Sequence, residues 1–112
     1  MSQTTKKKQV KSVFVVSNNW SDRHGEEGNN TGLFTTKANA VKALEDDVLT
    51  YLNDFSAIKD GKVDPTVIDE INGESFRKSM PIDDVKKLCK DGWVEINVDS
   101  SGTGAEWTLS TI

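Results

Sequence analysis

The chain has 112 residues and a formal net charge of −4, and 35% of its residues are hydrophobic and 29% charged. This length suits one domain around one hydrophobic core, and the composition excludes a disordered chain. No run approaches the roughly 18 apolar residues of a membrane span, and the apolar run at residues 13–16 is too short for a secretory signal. We therefore expect a cytoplasmic protein. Cys89 is the single cysteine, which excludes an intramolecular disulfide.

Charge is distributed unevenly along the chain. Residues 1–11 carry four lysines and no acid, and we expect a basic, flexible N-terminal arm there, followed by a single α+β domain at residues 12–112. Residues 45–74 carry nine acidic side chains against Lys59 and Lys62. Such a stretch repels phosphate, so we expect no direct nucleic-acid binding by the folded body and favour a partner protein with a basic surface. A solvated helix surface explains the same acids without any partner.

The first predicted elements are two strands. Residues 11–18 (KSVFVVSN) are rich in β-branched and aromatic residues and predict a first strand, and residues 32–36 (GLFTT) predict a second. The polar stretch between them, with Gly25 and Gly28, predicts a long loop that ends near Thr31. Loops of this length are uncommon and are either functional or mobile.

Three helices are predicted next. The longest begins at Thr36 and has apolar residues at spacings of three and four on one side and acids on the other. Asp64-Pro65 predicts the start of a short second helix that stops at Asn72-Gly73. A third helix is capped by Ser79 or Asp83 and ends at Gly92. The apolar stripe of the first helix consists of Val41, Leu44, Val48, Leu52 and Phe55.

The last twenty residues predict a hairpin. Residues 93–99 and 105–110 alternate between apolar and polar, with a turn at residues 100–104, so Val94, Ile96, Val98, Trp107 and Leu109 are expected to face the helices. The expected fold class is α+β, with a four-stranded antiparallel sheet of two hairpins and about three helices packed on one face. The element order is ββ-α-α-α-ββ.

Residues 17–32 hold the side chains best suited to bind a metal ion or to take part in acid-base catalysis. Asp22, His24, Glu26 and Glu27 include metal-ligating and acid-base groups. However, the glycines leave the loop slack, no second histidine or cysteine completes a metal shell, and no nucleophile or oxyanion-hole pattern accompanies His24. A solvated loop is the favoured interpretation, and we expect no catalytic residue, no metal site and no cofactor.

The residues favoured for contact with a partner are aromatic and acidic. Trp107 falls on the expected core face, whereas Trp20 and Trp93 fall at strand ends, where exposed aromatic side chains can anchor a partner. Core packing at the edge of the sheet is the competing interpretation. The candidate partner-binding residues are Trp20, Trp93, Glu45, Asp46, Asp47 and Asp54.

Three segments, FVVSNNWSDRHGEEG, GLFTTKANAVKAL and GWVEINV, resemble a loose class of small uncharacterised bacterial and phage proteins. In that class a first strand, a polar loop, a second strand and a helix precede a C-terminal strand pair. The residues that carry the resemblance are mainly Phe34, Thr36, Ala40 and Leu44. It implies a bacterial or phage source and an accessory role, and it transfers no active site.

Two functions from different classes follow from these observations. The first is a small non-catalytic module for protein interaction or regulation, which uses the open face of the sheet or the long loop. The alternative is an acidic mimic of nucleic acid that inhibits a basic host enzyme, because residues 45–74 are so acidic. A small enzyme or a metal-binding protein that uses residues 17–32 is the third and least favoured.

Overall fold

The computed structural model describes residues 12–75 and 77–112, so the predicted basic arm lies outside the described residues. The elements in chain order are β1 (Phe14–Ser21), β2 (Glu27–Phe34), α1 (Lys37–Asp54), β3 (Ile58–Lys59), β4 (Lys62–Val63), β5 (Glu70–Ile71), β6 (Glu74–Ser75), β7 (Met80–Pro81), α2 (Ile82–Asp91), β8 (Trp93–Asn97) and β9 (Gly104–Thr111). In this part of the chain no helix is long and apolar enough to cross a membrane.

The α+β class is confirmed, but the predicted counts of strands and helices are wrong. Six antiparallel strands form one sheet in the order β2-β1-β9-β8-β5-β6, and β3, β4 and β7 form a small second sheet. The two predicted hairpins are joined because β1 pairs along its whole length with β9. Two helices, and not three, are present in the described residues.

The second helix was predicted from Asp64-Pro65, and the structure has only one turn there. The Asp64 carboxylate accepts hydrogen bonds from the Thr66 amide and hydroxyl, as an N-cap does, but the helix does not propagate. Instead Ile68 is buried and the Asp69 amide donates to the Asn97 carbonyl, which draws the chain into the large sheet. Tertiary contacts therefore override the local helix signal.

Asn72-Gly73 was interpreted as a helix stop, and it is the turn of the β5–β6 hairpin. Both residues have positive φ, 53° and 79°, which is the backbone that a two-residue type I′ turn requires. Asp60 and Gly61 form the same kind of turn between β3 and β4, with φ of 53° and 73°. These two dipeptides are strong hairpin signals, and they account for four of the strands that the sequence prediction missed.

The long loop predicted after β1 is also wrong. β1 and β2 pair without a break from Phe14–Phe34 to Ser21–Glu27, so most of residues 17–32 lies in strands. The connecting turn is built around Asp22, whose carboxylate accepts hydrogen bonds from the His24 and Glu26 amides at 2.8 and 3.0 Å. Asparagine and glycine are rare in strands, and the ladder to β1 holds them there despite their low propensity.

The core lies between the helices and one face of the large sheet. Leu44, Val48 and Leu52 of α1 are fully buried, as are Val94 and Ile96 of β8, and Trp107 is 2% exposed. α1 begins as predicted, with the Thr36 hydroxyl accepting from the Asn39 amide at 3.2 Å. The predicted caps of the last helix are not used, because Pro81 stands at its N-cap, whereas Gly92 ends it in the left-handed conformation as expected.

Candidate functional site

The two candidate tryptophans lie on opposite faces of the large sheet. Trp20 pairs with Ala105, a core residue, so its indole is on the helix side, where it lies over Gly28. A Cβ at Gly28, the second residue of β2, would come within 2.7 Å of that indole, so the indole would have to move to accommodate a side chain there. Trp93 pairs with Thr108 and points to the open face, on the side away from the helices. The tryptophans are 36% and 40% exposed, and the fold does not bring them together.

The candidate acids of α1 are spread around the helix and do not form one row. Glu45 and Asp47 lie about 160° apart on the helix wheel, on the two flanks of the buried stripe. Asp46 points away from the core and forms an exposed ion pair with Lys42 at 2.9 Å. Asp54 is exposed near the C-terminal end of the helix. Partial burial, together with the neighbouring Asp46, raises the pKa of Asp47.

The side chains of the polar turn between β1 and β2 are not brought together into a site by the fold. Asp22 is engaged by backbone amides, and His24 and Glu26 are exposed. Within residues 12–75 and 77–112, no three histidine, cysteine or acidic side chains are grouped so that they could hold a metal ion. Cys89 is fully buried, and this desolvation, followed by the charge of Glu45, raises its pKa to about 12.

The open face of the large sheet instead gathers polar residues from distant parts of the chain. One row across the strands contains Asn29, Asn19, Glu106 and Glu95, because Asn19 pairs with both Asn29 and Glu106, and Glu106 pairs with Glu95. The next row contains Glu27, Ser21, Gly104, Asn97 and Glu70. Four carboxylates and three amides therefore share one surface, which we call the open-face cluster.

A cavity of about 380 Å³ lies on this cluster. Its lining includes the side-chain positions Asn19, Glu27, Asn29, Glu95, Asn97 and Glu106, and none of the lysine, arginine or histidine residues that the structure describes lines it. At the edge of the cluster the Trp93 indole N–H donates to Glu106 Oε2 at 2.7 Å, and the Asn97 amide donates to Glu70 Oε1 at 3.4 Å. Gly104 leaves the floor of the cavity without a side chain. A Cβ at position 104 would come within 2.5 Å of the Ile96 carbonyl oxygen.

Glu95 and Glu106 are the unusual pair in the cluster. They are directly opposed on neighbouring strands, where Cβ atoms are about 4.5–5.5 Å apart and like charges repel. The three ion pairs formed by the described residues are Lys42–Asp46, Lys59–Asp64 and Lys87–Asp84, so none of the cationic side chains in this part of the chain is within salt-bridge distance of either glutamate. Two opposed carboxylates on an accessible surface are suited to hold a cationic group between them.

The candidate partner-binding residues chosen from the sequence include Trp93, which lies at the edge of the open-face cluster, but none of the residues of the cluster itself. The alternation in β8 and β9 did indicate that Glu95, Asn97 and Glu106 are on the wet side of the last hairpin. The missing information was the pairing of β1 with β9, which adds Asn19 beside Glu106. No sequence motif indicates a contact between strands that are so far apart in the chain.

Comparisons of the chain with protein-family models, curated proteins and solved structures found no match. The function must therefore be argued from the residues of the open-face cluster.

Proposed function

We propose that the protein is a small non-catalytic interaction module that binds a basic segment of a partner protein on the open face of its large sheet. The observation that carries the proposal is the opposed pair Glu95 and Glu106 in a cavity that no cationic side chain of residues 12–75 or 77–112 lines. A lysine or arginine of the partner would supply the missing positive charge. The net charge of −4 would also steer a basic partner towards the protein.

The rest of the open-face cluster suits a peptide side chain better than a free ion. The carboxylates only accept hydrogen bonds, whereas the amides of Asn19, Asn29 and Asn97 both donate and accept. Together they can bind the donors and the acceptors of a peptide, whereas a free cation would use only the acceptors. The side chain of Trp93 is 40% exposed, and its indole is fixed by Glu106. An indole at the rim offers a guanidinium or ammonium group a cation–π contact in addition to the carboxylates.

The alternative, a nucleic-acid mimic, requires carboxylates aligned with the regular spacing of phosphates. The positions of Glu45, Asp46 and Asp47 around α1 do not favour such a row. No contact in the described residues supports the mimic beyond its acidic composition, so it stays a prediction from the sequence. The third possibility, an enzyme or metal-binding protein built on residues 17–32, likewise has no supporting geometry.

A direct test measures binding of acetylated, amidated hexalysine and hexaarginine by amide chemical-shift mapping and calorimetry, with hexaglutamate as the control peptide. We expect the largest shifts at Asn19, Glu95, Asn97 and Glu106, and weaker binding as salt rises. Glu95→Gln combined with Glu106→Gln should weaken binding at least tenfold. The glutamine at position 106 still offers Trp93 a hydrogen-bond acceptor, so the surface keeps its shape.

The matched control removes the same charge from α1, by Asp46→Asn combined with Asp54→Asn. Both positions are exposed and lie on the other side of the molecule from the open face. This variant should bind the cationic peptides nearly as well as the parent protein. Equal weakening in the two double variants would mean that net charge alone governs binding, and the proposal would then be wrong.

A further inference from the structure

The strand β2 is an exposed edge of the large sheet with unusual properties. In the strand order of the described residues β2 lies at one end and is hydrogen-bonded to β1 only. It is eight residues long, and its register with β1 is unbroken, so no bulge twists it away. Its other side therefore presents a row of backbone N–H and C=O groups along the whole strand.

Proteins usually protect such an edge with prolines, charged side chains or a bulge, and β2 itself has little of this protection. The strand EGNNTGLF contains no proline, lysine or arginine, and its single charge, Glu27, is at its first position. Leu33 is 67% exposed on the open-face side of this edge. At the opposite end of the same sheet β6 has only two residues, which is too short to accept another strand along its length.

We infer that β2 is a self-association edge, at which a second copy of the chain pairs antiparallel and extends the six-stranded sheet into one of twelve strands. Charge favours this occupant. Glu26 immediately precedes β2 and Glu27 is its first residue, whereas Lys37, the first residue of α1, follows shortly after its end. Antiparallel addition places the acidic start of one strand beside the basic end of the other in both halves of the dimer, as a two-fold axis requires.

The two-fold axis also restricts the register. An axis perpendicular to the sheet keeps the helices of both copies on the same side, so that opposed residues must point to the same face. An axis through Thr31 satisfies this condition and pairs residues 28–34 with each other. Thr31 then lies opposite Thr31 of the second copy, and Asn29 of each copy lies opposite Leu33 of the other. Glu27 lies outside the paired segment. Opposed threonines are a favourable cross-strand pair, and no like charges are opposed.

This inference is independent of the proposed function, because it uses the edge of the sheet and not its open face. Strand pairing alone buries less surface than the roughly 1,200–2,000 Å² of a stable interface, so we expect a weak, concentration-dependent dimer. Such a dimer would place two open-face clusters on one continuous surface, and a partner with two basic segments would gain affinity from both.

Cysteine cross-linking tests the register. Residues opposed in an antiparallel pair have Cα atoms about 4.5–5.5 Å apart, which is within disulfide range, so Thr31→Cys should form a covalent dimer under mild oxidation. Asn29→Cys is the matched control on the same strand and face. In this register the two copies of position 29 are about 14 Å apart, and they should not cross-link. The natural Cys89 is fully buried and does not interfere.

Sedimentation equilibrium tests the association itself. Thr31→Lys opposes two lysines on the axis and should raise the dissociation constant at least tenfold. Thr50→Lys makes the same substitution at an exposed position of α1 and should leave the constant unchanged. A protein that stays monomeric up to about 1 mM would overturn the inference. A dimer that survives Thr31→Lys, or that cross-links equally through position 29, would also overturn it.

Discussion

Neutralising Glu95 should stabilise the isolated protein, because Glu95 faces Glu106 and no cationic side chain of the described residues forms an ion pair with either. Two unit charges about 5 Å apart in water repel by about 0.8 kcal/mol, and by more where the protein lowers the local dielectric constant. Both glutamates are partly exposed, and salt screens them, so we expect Glu95→Gln to raise the free energy of unfolding by about 0.5–1 kcal/mol. For a domain of this size the melting temperature should rise by about 2–6 °C.

The assay is urea denaturation and thermal melting in low salt and in 1 M sodium chloride, where the Debye length falls to about 3 Å and the gain should nearly disappear. Glu27→Gln is the matched control, because Glu27 is on the same face but faces Ser21 and not another carboxylate. It should change stability by less than about 0.3 kcal/mol. A Glu95→Gln variant that is no more stable, or whose gain persists in high salt, would refute the claim that the pair is uncompensated.

Three further predictions concern the core, a turn and the thiol. Leu44→Ala should cost about 2–5 kcal/mol in chemical denaturation because Leu44 is fully buried, and a loss below about 1 kcal/mol would contradict the described packing. Hydrogen bonds from Thr66 lower the pKa of Asp64 below its ordinary 3.8, so this carboxylate stabilises the fold above pH 3.8 and loses that effect as the pH falls through the lowered pKa. Stability measured against pH should therefore fall less steeply below 3.8 in Asp64→Asn than in the parent. The Cys89 thiol, buried and with its pKa raised to about 12, should react with a disulfide reagent at pH 8 far more slowly in the folded protein than in urea, and comparable rates would refute its burial.

The parts of the fold that could be predicted are those with a strong local period. The apolar stripe of α1 places Leu44, Val48 and Leu52 in the core, and alternation places Val94 and Ile96 there. The failures occurred where a non-local contact overrode a local signal. Asp64-Pro65 begins as a helix does, but the buried Ile68 and the sheet contact of Asp69 stop the helix after one turn.

The candidate site could not be predicted as a unit, because no local signal joins its members. Asn19, Glu95 and Glu106 become neighbours only through strand pairing. Residues 17–32 show the same effect, since their low strand propensity indicated a loop, whereas residues 17–21 belong to β1 and the ladder to β1 holds residues 27–32 in the edge strand β2. In both cases the deciding interaction is non-local, and composition and periodicity carry little information about it.

The pairing of β1 with β9 also has a consequence for how the chain folds. Asn18 donates to the Glu106 carbonyl across a sequence separation of 88 residues, so the central contact of the sheet closes one of the longest loops that the chain allows. Loops of this kind are slow to close, and folding should be slower than for a helical domain of similar size. On the ribosome the β1–β2 hairpin would emerge early and wait, with one side of β1 unpaired, until β9 had been synthesised. During that interval β1 can pair with β2 on one side only, and the backbone N–H and C=O groups on its other side have no strand to bind. We therefore expect chaperones to affect the yield of folded protein most at this step.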